Sequence, residues 1–116
     1  MTQPIPGVAI FVAKHGAEAE VEAALKTLVS PSRAEAGAMH YTLHRDRDNP
    51  RRFVFTEAWR DQSAFDRHVA SDHVLMVFPG INDLLESSQV ILLEEVHVTA
   101  HGRSFGPETK SVPDRL

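Results

Sequence analysis

The sequence predicts an α+β domain whose strands and helices follow the order β-α-β-β-α-β. Four segments carry strand patterns, which are either unbroken apolar runs or alternating polar and apolar residues. Helical spacing of apolar residues occurs between the first and second of these segments and again between the third and fourth. The chain has 116 residues, a length suited to one domain with one hydrophobic core.

The first strand and the first helix occupy the N-terminal quarter of the chain. The apolar run from Val8 to Ala13 is typical of a strand that is buried on both faces. Residues 17–29 follow as a helix, with apolar residues spaced by four and three positions and glutamates in the first turns, where the helix dipole favours negative charge. We expect Pro31 to bend or stop this helix.

A hairpin is predicted next. Residues 39–45 alternate, with His40, Thr42 and His44 on the face opposite Tyr41, and residues 46–51 contain the turn dipeptide Asn49-Pro50. Residues 53–59 return as the third strand. Alternation places three side chains on one face of it, namely Phe55, Glu57 and Trp59.

The last third of the chain carries a broken helix and a strand. Asp61 is a plausible N-cap, and Phe65, His68 and Val69 form one helical stripe before Ser71-Asp72 interrupts it. A second helical stretch has Pro79-Gly80 inside it, which we expect to force a kink or a restart. Its apolar positions are Val74, Val77, Phe78, Ile81 and Leu85. The final strand is predicted at Val90 to Thr99.

This order of elements is the ferredoxin-like arrangement, in which a four-stranded antiparallel sheet has its first and third strands at the centre. Two helices cover only one face of such a sheet. Exposing the apolar residues of the other face costs about 1.5–3 kcal/mol each, so we expect a second copy of the chain to cover it as a homodimer. Residues 1–101 form the predicted domain, and residues 102–116 a polar tail or an arm that orders only against a partner.

Composition excludes several classes of function. The net charge of −4 argues against nonspecific nucleic-acid binding, and no apolar stretch approaches the roughly 20 residues that span a membrane. The sequence has no cysteine, which excludes disulfides, cysteine nucleophiles and thiolate metal sites. The N-terminal residues show no signal-peptide pattern, so we expect a cytoplasmic protein.

Titratable side chains gather where the third strand meets the following helix. Glu57, in an apolar strand, is either a general base or a structural carboxylate with a hydrogen-bonding partner. Trp59 either stacks on a flat ligand or belongs to the core or the dimer interface. His68 and His73 are acid–base candidates, and the alternative for His68 is a satisfied core histidine bonded to Glu57 or Asp72.

A metal site is the weaker hypothesis for these histidines. A spacing of five residues puts them about 140° apart on an unbroken helix, which does not direct two ligands at one ion. The break at Ser71-Asp72 leaves the possibility open, with His40 or Glu57 as a further ligand.

An ordered set of short elements resembles one protein family. The elements are Glu35-x-Gly37, Tyr41, Asn49-Pro50, Phe53, Glu57-x-Trp59, His68, Ser71 and His73, then an apolar helix and a strand ending Leu93-Glu94-Glu95-Val96. In this order and at these spacings, from about Val8 to Val98, the chain resembles the antibiotic biosynthesis monooxygenase (ABM) domain family. The resemblance implies a dimeric α+β barrel with one pocket in each subunit, between the sheet and its helices.

The resemblance also implies an activity. The best-known members oxidise quinols, anthrones or related polycyclic phenols with dioxygen, without metal, flavin or haem, while other relatives isomerise or degrade small molecules. We therefore expect a small cofactor-independent monooxygenase that acts with dioxygen on a quinol or other aromatic or polycyclic phenolic metabolite. The alternative is an isomerase or a non-catalytic ligand-binding dimer of the same fold. The expected catalytic residues are Glu57, His68 and His73, and the expected substrate-binding residues are Trp59, Phe55, Phe65, Tyr41 and His40.

The sequence departs from two family types at identifiable positions. In the anthrone-oxidising type an asparagine lies four residues before the tryptophan, where this chain has Phe55, and a tyrosine lies six residues after it, where this chain has Phe65. In the haem-degrading type an asparagine lies on the first strand, and Val8 to Ala13 contains none.

Overall fold

The computed structural model describes residues 3–99, which form a four-stranded antiparallel sheet with helices on one face. The elements in chain order are β1 (Ile5–Ala13), α1 (Glu18–Lys26), α2 (Val29–Arg33), β2 (Ala38–Arg45), β3 (Arg52–Trp59), α3 (Gln62–Val69), α4 (Asp72–Ile81), a 3₁₀ turn (Asn82–Leu84) and β4 (Leu85–Leu92). The sheet order is β2-β3-β1-β4, so the first and third strands are central as predicted. The fold is ferredoxin-like, as the order of elements predicted.

Alternation in the central strands separates the core from the open face. In β1 the side chains of Ala9, Phe11 and Ala13 are buried, and the residues between them are only half-buried. β3 follows the same pattern and buries Phe53, Phe55, Glu57 and Trp59. The helices pack on the buried side, so every functional side chain on that side points into the space between sheet and helices.

The first helical region is divided earlier than predicted. α1 ends at Lys26, and Pro31 lies inside the separate short helix α2. Because proline has no N–H, it cannot donate to the carbonyl of Thr27, four residues before it, and one continuous helix would leave that carbonyl without its bond. The chain turns at this point, and Pro31 occupies the first turn of α2, where a missing N–H costs nothing.

The predicted helix boundaries near the C-terminus also need correction. α4 continues through Pro79 to Ile81, so the predicted restart after Pro79-Gly80 is wrong. The last strand is Leu85–Leu92 and not Val90–Thr99, and Leu85, predicted to be helical, is its first residue. β4 is an edge strand that pairs with β1 only, so its polar segment, residues 86–89, stays exposed without cost.

Beyond β4 the described chain has no regular structure up to residue 99, although the Leu93 N–H donates to the carbonyl of Pro6 at 2.8 Å. The predicted tail at 102–116 lies outside the described residues. Within residues 3–99, no helix has the length and apolar character that crossing a bilayer requires.

Candidate active site

A cavity of about 290 Å³ lies between the sheet and the helices α3 and α4. All four strands, both helices and the 3₁₀ turn contribute to its wall. The lining residues are Ala9, Phe11, Tyr41, Phe55, Glu57, Phe65, His68, Val69, Val74, Phe78, Asn82, Ser88 and Val90. Most of these side chains are aromatic or aliphatic, so the few polar groups decide the chemistry available inside.

Glu57 is the acidic residue of this wall. It is buried on β3, and the indole Nε1–H of Trp59 donates to its Oε1 at 2.7 Å. Burial raises the pKa of Glu57 above its ordinary value, against the opposing effects of the Trp59 hydrogen bond and a charge on His68. The Glu57 carboxyl group therefore has one oxygen fixed by Trp59 and a strengthened tendency to hold a proton.

His68 faces Glu57 from helix α3. The helix begins where Asp61 accepts a hydrogen bond from the backbone N–H of Ala64 at 2.9 Å, which confirms the predicted N-cap. The His68 ring packs against the Trp59 ring, with centroids 4.4 Å apart. Its Nδ1 lies 2.8 Å from Oε2 of Glu35, and Nε2 has no partner among residues 3–99 and is not sealed from solvent.

His73 lies on the first turn of α4, and the predicted break at Ser71 places it there. The Ser71 hydroxyl accepts a hydrogen bond from the N–H of Val74 and donates to the carbonyl of His68 at 2.6 Å, so α3 ends and α4 begins at this residue. His73 Nε2 lies 2.7 Å from Glu35 Oε2, the same oxygen that His68 contacts.

Glu35 is the residue that sequence reasoning missed as part of the site. It lies between α2 and β2, 33 residues before His68, and no periodicity links the two. The available signal was the neighbouring Gly37 in Glu35-x-Gly37. A Cβ atom on Gly37 would lie 2.2 Å from Cβ of Ala64, so only glycine lets this loop approach α3 closely enough to bring Glu35 to the histidines.

Tyr41 forms the cavity wall on the β2 side. Its ring stacks on Phe55 with centroids 4.7 Å apart and meets the His68 ring edge-on at 5.3 Å. Burial, together with the neighbouring Glu57 carboxylate, raises the pKa of the Tyr41 phenol well above its ordinary value. Tyr41 therefore stays protonated at neutral pH and is a wall residue and hydrogen-bond donor.

The structure does not bring all of the predicted site residues into one cavity. Glu57, His68, Phe55, Phe65 and Tyr41 line it together. Trp59 is fully buried behind Glu57, and His73 lies beside Glu35, so neither belongs to the wall. His40 lies on the opposite face of the sheet, where it and His44 both contact the hydroxyl of Thr56 at 2.9 and 3.0 Å.

Glu35, His68 and His73 are also the residues of this region that could hold a metal ion, because their ligand atoms all lie within 4.8 Å of one another. A first-row ion binds such ligands at about 2.0–2.2 Å, which separates neighbouring ligand atoms by roughly 3.0–3.4 Å. The Glu35 oxygen is 2.7 and 2.8 Å from the two ring nitrogens, which are hydrogen-bond distances. The arrangement fits shared protons better than a shared ion.

Comparison with known proteins identifies the family of the chain. Residues 8–78 match the model of the family described as antibiotic biosynthesis monooxygenase. The chain belongs to the antibiotic biosynthesis monooxygenase (ABM) family. Rv0793 from Mycobacterium tuberculosis is 32% identical over 85 residues, which are 73% of this chain and 83% of that protein.

Solved structures show the same fold. PA3566 from Pseudomonas aeruginosa has a TM-score of 0.80 and 36% identity, covering 84% of this chain and 98% of that one. SO0527 from Shewanella oneidensis has a TM-score of 0.77 and 38% identity, covering 82% and 93%. SnoaB from Streptomyces nogalater, described as a cofactor-independent oxygenase, has a TM-score of 0.70 and 26% identity, covering 82% and 95%. The family name and SnoaB both connect this ABM fold with oxygenase chemistry.

Proposed function

We propose that this ABM-family protein is a cofactor-independent monooxygenase that oxidises a small quinol or other aromatic phenolic molecule with dioxygen. One observation carries the proposal. His68 lines an apolar cavity with only Nδ1 engaged by the protein, so Nε2 is the basic nitrogen available to a bound molecule. Membership of a family with an oxygenase relative supports the reaction type.

The proposed reaction needs only a base and a water-poor space. His68 Nε2 removes a proton from the activated substrate, and the anion passes an electron to dioxygen. Superoxide and the substrate radical then join as a peroxide at carbon. The imidazolium protonates the peroxide, and loss of water leaves a carbonyl. One oxygen atom enters the product, the other leaves as water with two substrate hydrogens, and the substrate supplies all the electrons.

The cavity restricts the substrate class. Its volume of about 290 Å³ is at the lower end of the range for ligand pockets, which favours a molecule of one or two fused rings. Phe55 and Phe65 offer ring faces for stacking. Glu57, whose pKa is raised by burial, lines the same cavity as His68 and offers a carboxyl group that can hydrogen-bond a second oxygen of the ligand.

Oxygen uptake with a panel of one-ring and two-ring hydroquinones tests the proposal. We expect uptake that a chelator does not change, with one atom of ¹⁸O₂ in the product. His68→Ala should lower turnover by roughly 10²-fold or more, the usual scale for losing a general base. His15→Ala is the matched control, because His15 is exposed and outside the cavity. Full activity of His68→Ala, or uptake that requires added metal, would refute the mechanism.

An isomerase is the second candidate. Phe55 and Phe65 stand where the anthrone-oxidising type has polar residues, so the cavity wall offers apolar contact at these two positions. A base in an apolar cavity can also remove a proton next to a carbonyl and return it to another carbon. Substrate-dependent exchange of deuterium from solvent without oxygen uptake would favour this activity.

We also propose that the protein is a homodimer formed through the open face of the sheet. The face carries half-buried apolar side chains from three neighbouring strands, which are Val8, Ile10, Val12, Val54, Ala58 and Ile91. No helix of the described chain covers them. A second copy supplies an apolar partner of the same shape, as a two-fold interface requires.

A further inference from the structure

One oxygen atom organises both histidines of the site. Oε2 of Glu35 lies 2.8 Å from His68 Nδ1 and 2.7 Å from His73 Nε2. An ionised carboxylate can only accept hydrogen bonds, so both of these ring nitrogens must carry protons. A neutral imidazole carries one proton, and a proton on Nδ1 of His68 leaves its Nε2 as a lone-pair acceptor.

We propose that Glu35 is a positioning residue that fixes the tautomer of His68, and that His73 holds Glu35 in place for this task. This inference rests on the proposed role of His68 as the base. In this proposal His73 donates a hydrogen bond that holds the Glu35 carboxylate, whereas the sequence suggested that His73 is itself an acid–base catalyst. Glu35 and His73 then act through His68 and do not touch the substrate.

Glu35 contributes to both protonation states of the base. Before the reaction it orients the ring and keeps the proton on Nδ1. Nε2, which has no partner within the described residues, is then unprotonated and can accept a proton. When Nε2 takes a proton from the substrate, the imidazolium still donates Nδ1–H to the carboxylate. The positive imidazolium attracts the negative carboxylate more strongly than the neutral ring does, so the product of proton transfer is stabilised more than the reactant.

Burial protects the hydrogen bond between His68 and Glu35 from competition by water. The side chains of His68 and Glu35 are 7% and 17% exposed, and that of His73 is 22% exposed. His68 packs against the Tyr41 and Trp59 rings, and Glu35 is the hydrogen-bond partner of its Nδ1 within residues 3–99. Water competes at the His73 end first, and the Ser71 hydroxyl lies 3.2 Å from His73 Nε2 as a second contact there.

Nitrogen NMR of the histidine rings tests the tautomer without any substrate. The full chain is labelled with ¹⁵N, and the His68 signals are assigned by their loss in His68→Gln. We expect His68 to be an Nδ1–H tautomer in the native protein and to lose that preference in Glu35→Ala, with Glu35→Asp as a conservative variant that retains part of it. His73→Ala should weaken the preference, and His73→Gln, which keeps an N–H donor, should restore it.

Any of the following results would overturn the assignment. One is an Nε2–H tautomer of His68 in the native protein, and another is an unchanged tautomer in a folded Glu35→Ala variant. A third is stoichiometric binding of Zn²⁺ that disappears in Glu35→Ala, because a metal would then occupy the place of the shared protons.

Kinetics separate this inference from the proposed function. With an active substrate, Glu35→Gln should lower kcat by roughly 10²–10⁴-fold with little change in KM, the scale seen when a histidine loses its orienting carboxylate elsewhere. An equal loss for Glu35→Gln and Glu35→Asp would contradict a role that depends on the carboxylate. If no aromatic substrate is turned over but the tautomer changes as expected, the oxygenase proposal fails and the positioning of His68 stands.

Discussion

The buried contact between Glu57 and Trp59 makes a quantitative prediction about stability. Both side chains are nearly inaccessible, and the indole N–H donates to the carboxyl oxygen at 2.7 Å. Trp59→Phe leaves that oxygen without its donor, and Glu57→Met leaves the indole N–H without its acceptor. Each single substitution therefore carries the cost of a buried unpaired polar group, about 1–3 kcal/mol, which the double variant avoids.

The two substitutions should consequently be far from additive. We expect the double variant to be more stable than the sum of the single effects by about 1–3 kcal/mol, the scale on which residues in direct contact couple. Urea unfolding of the four proteins at one pH and one protein concentration measures this coupling free energy, and the fixed concentration keeps any dimer contribution constant. A coupling below about 0.5 kcal/mol would show that the contact does not hold Glu57 in the wall.

Three further outcomes are expected. The pKa of Glu57 is raised in the folded state, so above pH 4.5 the native protein binds more protons than the unfolded chain. The free energy of unfolding of the native protein should therefore fall with rising pH relative to that of Glu57→Gln. Urea titrations at several pH values measure this difference. Gly37→Ala should destabilise the fold by roughly 1–3 kcal/mol through its clash with Ala64, and adding Ala64→Gly should recover part of this. Val54→Asp on the open sheet face should convert a dimer into monomers in sedimentation experiments.

Each of these outcomes has a control or a contrary result. A pH-independent difference between native protein and Glu57→Gln would contradict the raised pKa. Gly80→Ala is the control for Gly37, since nothing lies within 4 Å of its added Cβ and alanine favours a helix by about 0.5–1 kcal/mol. Met76→Asp, on an exposed position of α4, should leave the dimer intact. A native protein that sediments as a 12.9 kDa monomer would refute the interface.

The parts of the fold with strong periodicity were predictable. Alternation in β3 correctly placed Phe55, Glu57 and Trp59 on one buried face, and the stripe on α3 turned Phe65 and His68 towards them. β4 was misplaced because an edge strand has one neighbour and tolerates polar residues on both faces. Its start therefore resembles a loop in the sequence.

The site was less predictable than the fold because it depends on contacts that are distant in sequence. The sequence left Trp59 open between stacking on a ligand and a place in the core or the dimer interface, and the structure buries it as the hydrogen-bond donor to Glu57. It suggested Glu57 or Asp72 as the partner of His68, but the partner is Glu35, on the loop before β2. Such a pairing is set by the packing of a loop against a helix, which neither propensity nor periodicity encodes.

The Glu35 contacts make the two histidines a reporter of cooperative folding. The contacts span 33 and 38 residues, so they form only after the segment before β2 and the α3–α4 region have both reached their native positions. A local opening of the loop at Gly37 would release both rings in the same event. Hydrogen exchange in the α3–α4 junction should therefore follow the opening of a loop that lies far away in the chain.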